Sequence, residues 1–158
     1  MSKRHRAAST RTSRIIKASP EQLYQAFMDP AILVTWLPPG QMTGKIHAFD
    51  RRVGGGFRMS LFYPPDDNSF RGKTSEKEDM SDVRFVELVP PRKIVEAVTF
   101  VSDDPALKGE MTITVTFDEA PGGTEVTFLC TDLPPGLRAE DNEEGARLSL
   151  EQLARRFE

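Results

Sequence analysis

One cysteine and two histidines are all that this 158-residue chain offers for redox, metal or imidazole chemistry. A lone thiol, Cys130, forms no internal disulfide, and its scarcity fits a reducing, cytoplasmic setting. A zinc site needs three or four clustered Cys, His or carboxylate ligands. His5, His47 and Cys130 are scattered, so neither a metal nor another cofactor is expected. A Ser-His-Asp triad would rest on His47 alone, and no G-x-S-x-G elbow presents a serine. Long apolar runs are missing too. Nothing approaches the roughly 20 residues of a membrane-spanning helix, and the N-terminus develops no apolar secretory core.

Two glycine motifs fail on inspection. Gly72-Lys73-Thr74 would end a phosphate-binding loop, but Asp67 stands where that loop requires its first glycine. Gly54-Gly55-Gly56 lacks dinucleotide-binding spacing and is expected to bend the chain between strands, with Asp50 capping the bend. The net charge is only -3, yet Lys3, Arg4, Arg6, Arg11 and Arg14 open the chain with no acid among them. Residues 1–11 are therefore read as a basic, solvated tail, and 12–158 as one domain. The body that follows is acidic, which argues against a nucleic-acid partner.

What is present is pattern. Arg14 to Ala18 reads as a strand. Ser19-Pro20-Glu21-Gln22 combines a hydroxyl cap, a proline at the first helical position and a glutamine three residues past the cap. Asp29-Pro30 repeats the signal and opens a second short helix toward Trp36, which Pro38-Pro39-Gly40 stops. A period of two then predicts strands over 43–49, 57–63, 82–89 and 94–100. Pro64 to Asn68 reads as a turn, and Ser69 to Met80 as either strand edges or a loop. The clearest alternation sets Met111, Ile113, Val115 and Phe117 against Thr112, Thr114 and Thr116. Residues 124–131 follow, with Val126, Phe128 and Cys130 inward. A long helix closes the chain, with Asp141 as its expected cap and Ala146, Leu150, Leu153, Ala154 and Phe157 on one stripe.

The fold expected is α+β. A curved antiparallel sheet of six or seven strands wraps a long C-terminal helix, with two short helices after the first strand. Side chains between a curved sheet and one helix need not fill the space, so a binding cavity is expected. Its candidate ligand-binding walls are Trp36, Phe57, Met59, Glu96, Phe100, Met111, Ile113 and Leu150. Glu96 shares its strand face with Ile94, Val98 and Phe100, which would put a carboxyl group among apolar side chains and raise its pKa. Against this, a strand irregularity would turn it to solvent, or a base such as Arg58 would pair with it. Glu96 and His47 are the weak candidates for catalysis. Trp36 reads equally as a lip over the cavity or as core.

Several segments together resemble a known family. They are Trp36-Leu37-Pro38-Pro39-Gly40, Phe49-Asp50 with Arg52 to Met59, Phe85-Val86-Glu87-Leu88-Val89-Pro90, Gly122 to Thr127, and Gly145 with Ser149-Leu150 and Leu153. In order and spacing the chain, from about Thr12 onward, is similar to the START-like (SRPBCC) superfamily, which implies a helix-grip fold. Within it, the chain resembles the bacterial relatives of the C-terminal domain of the activator of the heat-shock-protein-90 ATPase. That resemblance implies either a small apolar or amphipathic ligand or a protein partner such as a chaperone in a stress response. It also implies a homodimer, and cavity enzymes of cyclase or hydrolase type among distant relatives. An additional N-terminal domain like that of the eukaryotic co-chaperones is not expected. Many relatives carry a tryptophan directly after the helix glycine, where this chain has Ala146, so a larger or differently shaped cavity is expected.

Overall fold

Capping and proline signals decide where the first helices begin. In the computed structural model, which describes residues 8–64 and 78–158, the Ser19 hydroxyl accepts from the Gln22 amide and the Gln22 side chain accepts from the Ser19 amide. This reciprocal box starts α1 (Pro20–Met28). Asp29 ends α1 and caps α2 (Pro30–Trp36) through the Ala31 amide. The remaining helix, α3 (Ala139–Arg156), begins two residues before the expected Asp141 cap. Its cap is Arg138, without a side-chain bond, and Asp141 sits in the first turn beside Glu140. Acids there and Arg155 and Arg156 in the last turn complement the helix dipole.

Seven strands form one antiparallel sheet in the order β1-β7-β6-β5-β4-β3-β2. They are β1 (Ala8–Ile16), β2 (Thr43–His47), β3 (Gly56–Phe62), β4 (Glu78–Val89), β5 (Lys93–Phe100), β6 (Glu110–Ala120) and β7 (Gly123–Leu133). The α+β helix-grip expectation holds, with a curved seven-stranded sheet and the two short helices after β1. β1 begins at Ala8, so residues 8–11, expected as tail, pair with β7 instead. β2 is shorter than expected and ends at His47. Of the Ser69 to Met80 segment, Glu78 onward is the start of β4, while 69–77 and the Gly72-Lys73-Thr74 motif lie outside the described residues.

The glycine run does bend the chain tightly. Gly56 has φ +151°, and a Cβ there would lie 1.8 Å from the Val83 carbonyl oxygen of the neighbouring strand. Only glycine permits that approach. The Asp50 amide donates to the Gly56 carbonyl at 2.8 Å, and the Asp50 carboxylate holds Arg52.

The helices cover one face of the sheet. α3 packs chiefly on β1 and also touches β7 and α2, while α1 rests on β6 and α2 on β2. Beneath them lies the main core: Ile16, Leu23, Phe27, Trp36, Phe85, Ile94, Val115, Phe117, Val126, Leu150 and Leu153 among others. A second, smaller cluster joins Val98, Met111, Cys130 and Leu133. Among the described residues no helix is long and apolar enough to cross a membrane.

Candidate functional site

Cross-strand partners share a face of a sheet, so the register says which side chains meet. Phe85 opposes Glu96, Glu96 opposes Ile113, Ile113 opposes Cys130, and Cys130 opposes Thr10. This row runs across five strands on the helix-covered face. On β5, Glu96 stands between Ile94, which belongs to the main core, and Val98, which belongs to the smaller cluster. Val83 and Ile113 pack against both clusters. Glu96 therefore sits at the seam between them.

The geometry bears on both alternatives weighed for Glu96. The β4 bulge, between Phe85 and Glu87, leaves the Phe85–Glu96 pairing intact, so Glu96 is not turned outward. Arg58 is on the other face, where its guanidinium grips Asp82 at 2.6 and 2.9 Å. No donor or cation among the described residues pairs with the Glu96 carboxyl group. Burial pushes its pKa up to about 7. Even so the side chain is only half-buried, as are Val83, Phe100 and Ile113 on the same face. Ile94 and Val98 beside it are at 0% and 5% exposure.

Polar groups gather at the β1 end of the row. The Thr10 hydroxyl donates to the side-chain oxygen of Asn142 on α3. Burial pushes the Cys130 thiol up, although its hydrogen bonds to Thr10 and Asn142 work the other way. On the β3 side, the Tyr63 hydroxyl donates to Asp79 at 2.8 Å, which with burial holds the phenol well above its usual range. Sequence reasoning missed Thr10, Asn142, Tyr63 and Asp79. The Thr10–Asn142 pair joins residues 132 apart, and no local pattern announces it.

The other candidates separate. Phe57, Met59, Met111 and Leu150 are buried in the two clusters. Trp36 is core as well, at 1% exposure, with its indole N–H donating to the Ala26 carbonyl at 3.1 Å and its ring edge-on to Phe27. Of the two readings of Trp36, the structure takes the core one. His47 opposes Arg58 and so lies on the outer face, where Nε2 is 3.4 Å from the Ser60 hydroxyl. Glu96 and His47 are on opposite sides of the sheet and cannot act on one substrate. Among the described residues no group of three or more Cys, His, Asp or Glu could hold a metal ion.

A surface depression of about 350 Å³ opens between α2 and β2, lined by Val34, Thr35, Pro38, Met42, Thr43 and Gln152. It does not reach Glu96. Gln152 is already committed there: its amide nitrogen donates to the Trp36 and Pro38 carbonyls and its oxygen accepts from the Gly40 amide.

On α3 the stripe Asn142, Ala146, Leu150 and Leu153 follows helical spacing toward the sheet, and Ala146 packs against the main core. The position lies one turn from Asn142, on the side of α3 that faces the polar end of the row.

Comparisons with known proteins agree with this architecture. A crystal structure of a Chromobacterium violaceum protein, CV1439, is 32% identical, covers 94% of this chain and 96% of its own, and superposes with a TM-score of 0.80. A Rhizobium loti protein is 26% identical over 94% of this chain and 95% of its own, with a TM-score of 0.70. The AHSA1 protein from Silicibacter pomeroyi, 18% identical over 94% and 96%, shares the fold at a TM-score of 0.76. No curated protein matches. Residues 17–158 match the family described as activator of Hsp90 ATPase homolog 1-like protein, and the chain belongs to that family.

Proposed function

We propose that this protein binds a small apolar or amphipathic molecule in a space between the curved sheet and α3, with Glu96 as the polar anchor. One observation carries the reading: a desolvated carboxyl group with no partner among the described residues, at the seam of two core clusters and ringed by apolar side chains that keep accessible surface. A packed core would leave Val83, Phe100 and Ile113 as covered as Ile94. A carboxyl group facing bulk water would keep an ordinary pKa. Half-exposure together with desolvation supports an enclosed space beside the group. Apolar walls with one or two placed polar groups are what small-molecule sites are made of. The walls proposed are Val83, Glu96, Phe100 and Ile113, with Trp36 and Leu150 serving as core behind them.

Family membership is equally compatible with a chaperone-type protein partner, which would use the outer face or the loops. Native mass spectrometry on the purified protein, with N-phenyl-1-naphthylamine as a neutral probe, separates the two. A 1:1 adduct is expected, together with any co-purified molecule removed by organic extraction. Ala146→Trp, helical by circular dichroism, is expected to weaken the probe at least ~10-fold by filling the space under α3, about 1.4 kcal/mol or more. No adduct, or an affinity untouched by Ala146→Trp, would reject the cavity and leave the interaction reading in front.

A further inference from the structure

We infer that the site selects ligands by their polar end, taking organic amines with an apolar body and discriminating against carboxylates. This rests on the cavity reading of the preceding section, and goes beyond it by naming the class of ligand. The argument is one of unmatched charge. The described cations of β3 to β7 lie on the outer face and have partners there: Arg58 with Asp82, Arg84 with Glu110, Lys93 with Glu87. Arg14 of β1 shares the inner face but is exposed and stands opposite Val126, four residues along the strand from Thr10. On the inner face the polar groups nearest the row are a thiol, Cys130, and the Thr10–Asn142 pair. The remaining acid of that face, Asp79, takes the Tyr63 hydroxyl.

A carboxylate guest would thus meet a second carboxyl group and, among the described residues of the row, no cation. One of the two must then hold a proton, or like charges must sit together in poorly solvated surroundings. An ammonium guest faces the opposite situation. It gives Glu96 the charge-assisted hydrogen bond it lacks, and the two ions offset each other's desolvation. An alcohol or phenol donates a single neutral bond and falls between them.

The groups facing Glu96 from each packed element also set the pH behaviour. β4 offers Phe85, β6 Ile113, β7 the Cys130 thiol, β1 Thr10 and α3 Asn142. Asp79 stands farther along β4, and Asp141 of α3 acts on Tyr63. Burial keeps Cys130 a neutral thiol, so Glu96 is the member of the row whose charge changes near neutrality. Its ionisation between pH 6 and 8 strengthens amine binding as the pH rises.

The test is a set of ligands on one rigid body: naphthalene, 2-naphthylmethanol, 2-naphthylmethylamine and 2-naphthoic acid, titrated calorimetrically into the full chain at pH 6 and pH 8. At pH 8 the amine is expected to bind at least ~10-fold tighter than naphthalene, and the acid at least ~10-fold weaker than the amine. The amine's lead over naphthalene should shrink at pH 6, and in Glu96→Gln that ratio should fall to near one. An acid that binds as tightly as the amine, or an amine lead that survives Glu96→Gln, overturns the selection while leaving the cavity standing. If naphthalene and all its derivatives fail to bind, the cavity reading falls and the selection with it.

Discussion

Glu96→Gln is expected to make the free protein more stable at pH 8 by about 2–3 kcal/mol, and to leave its stability at pH 4 unchanged. The folded-state pKa is raised to about 7 from an ordinary 4.5. Below about pH 4.5 the carboxyl group is protonated in both folded and unfolded chains, so folding carries no penalty from it. Between about 4.5 and 7 the unfolded chain releases the proton and the folded chain retains it, so stability falls as the pH rises. Above about 7 both have released it and the loss is complete. The full shift corresponds to about 3 kcal/mol, and the accessible surface left to the side chain moderates it. Glutamine keeps the shape and never ionises. Urea unfolding of both proteins at pH 4, 6 and 8 measures the difference. An equal gain at every pH would mean that packing, not charge, is responsible.

Phe117→Ala should act in the opposite direction, costing about 3–5 kcal/mol at every pH from 5 to 8. Phe117 is fully buried, and its ring stands edge-on to Phe27 at 5.3 Å and to Tyr24 at 5.8 Å. Through these contacts it ties β6 to α1, the helix that carries both rings. Deleting the ring removes its buried area and two oriented aromatic pairs, and leaves a cavity that the strand and helix are too rigid to close. The midpoint in urea should drop with little change in slope. A loss below about 1 kcal/mol would show that the core collapses around the gap.

Neither effect needed the structure to be anticipated in kind. The alternation Met111 to Phe117 put Phe117 inside, and the position of Glu96 between Ile94 and Val98 put a carboxyl group on the same face. Ser19 and Asp29 were legible as caps because capping is local: the bonded groups lie two or three residues apart. Ala8 to Arg11 was not legible as strand. The segment has no apolar alternation, and only Thr10 in it is buried, so its pairing depends wholly on β7. The start of α3 was misplaced for a related reason. Asp141 has the chemistry of a cap, but the chain turns helical at Ala139 with Arg138 as a cap that makes no side-chain bond.

Partner choice was the least legible feature. Arg58 and Glu96 are compatible in charge, and only the register puts them on opposite faces and gives Arg58 to Asp82. The same holds for Trp36, whose role turned on one hydrogen bond to Ala26 and one ring contact with Phe27. The space proposed beside Glu96 depends on side-chain volumes meeting across the sheet, and periodicity carries no information about volume.

The most direct test of the account is the titration of Glu96 itself, followed by NMR on the side-chain carboxyl carbon with Glu96→Gln supplying the assignment. A midpoint near 7 in the free protein is predicted, moving downward when 2-naphthylmethylamine is bound, because an ammonium partner favours the ionised form. A midpoint near 4.5, unmoved by the amine, would mean that Glu96 is solvated like any surface carboxylate and that no desolvated site lies beneath α3.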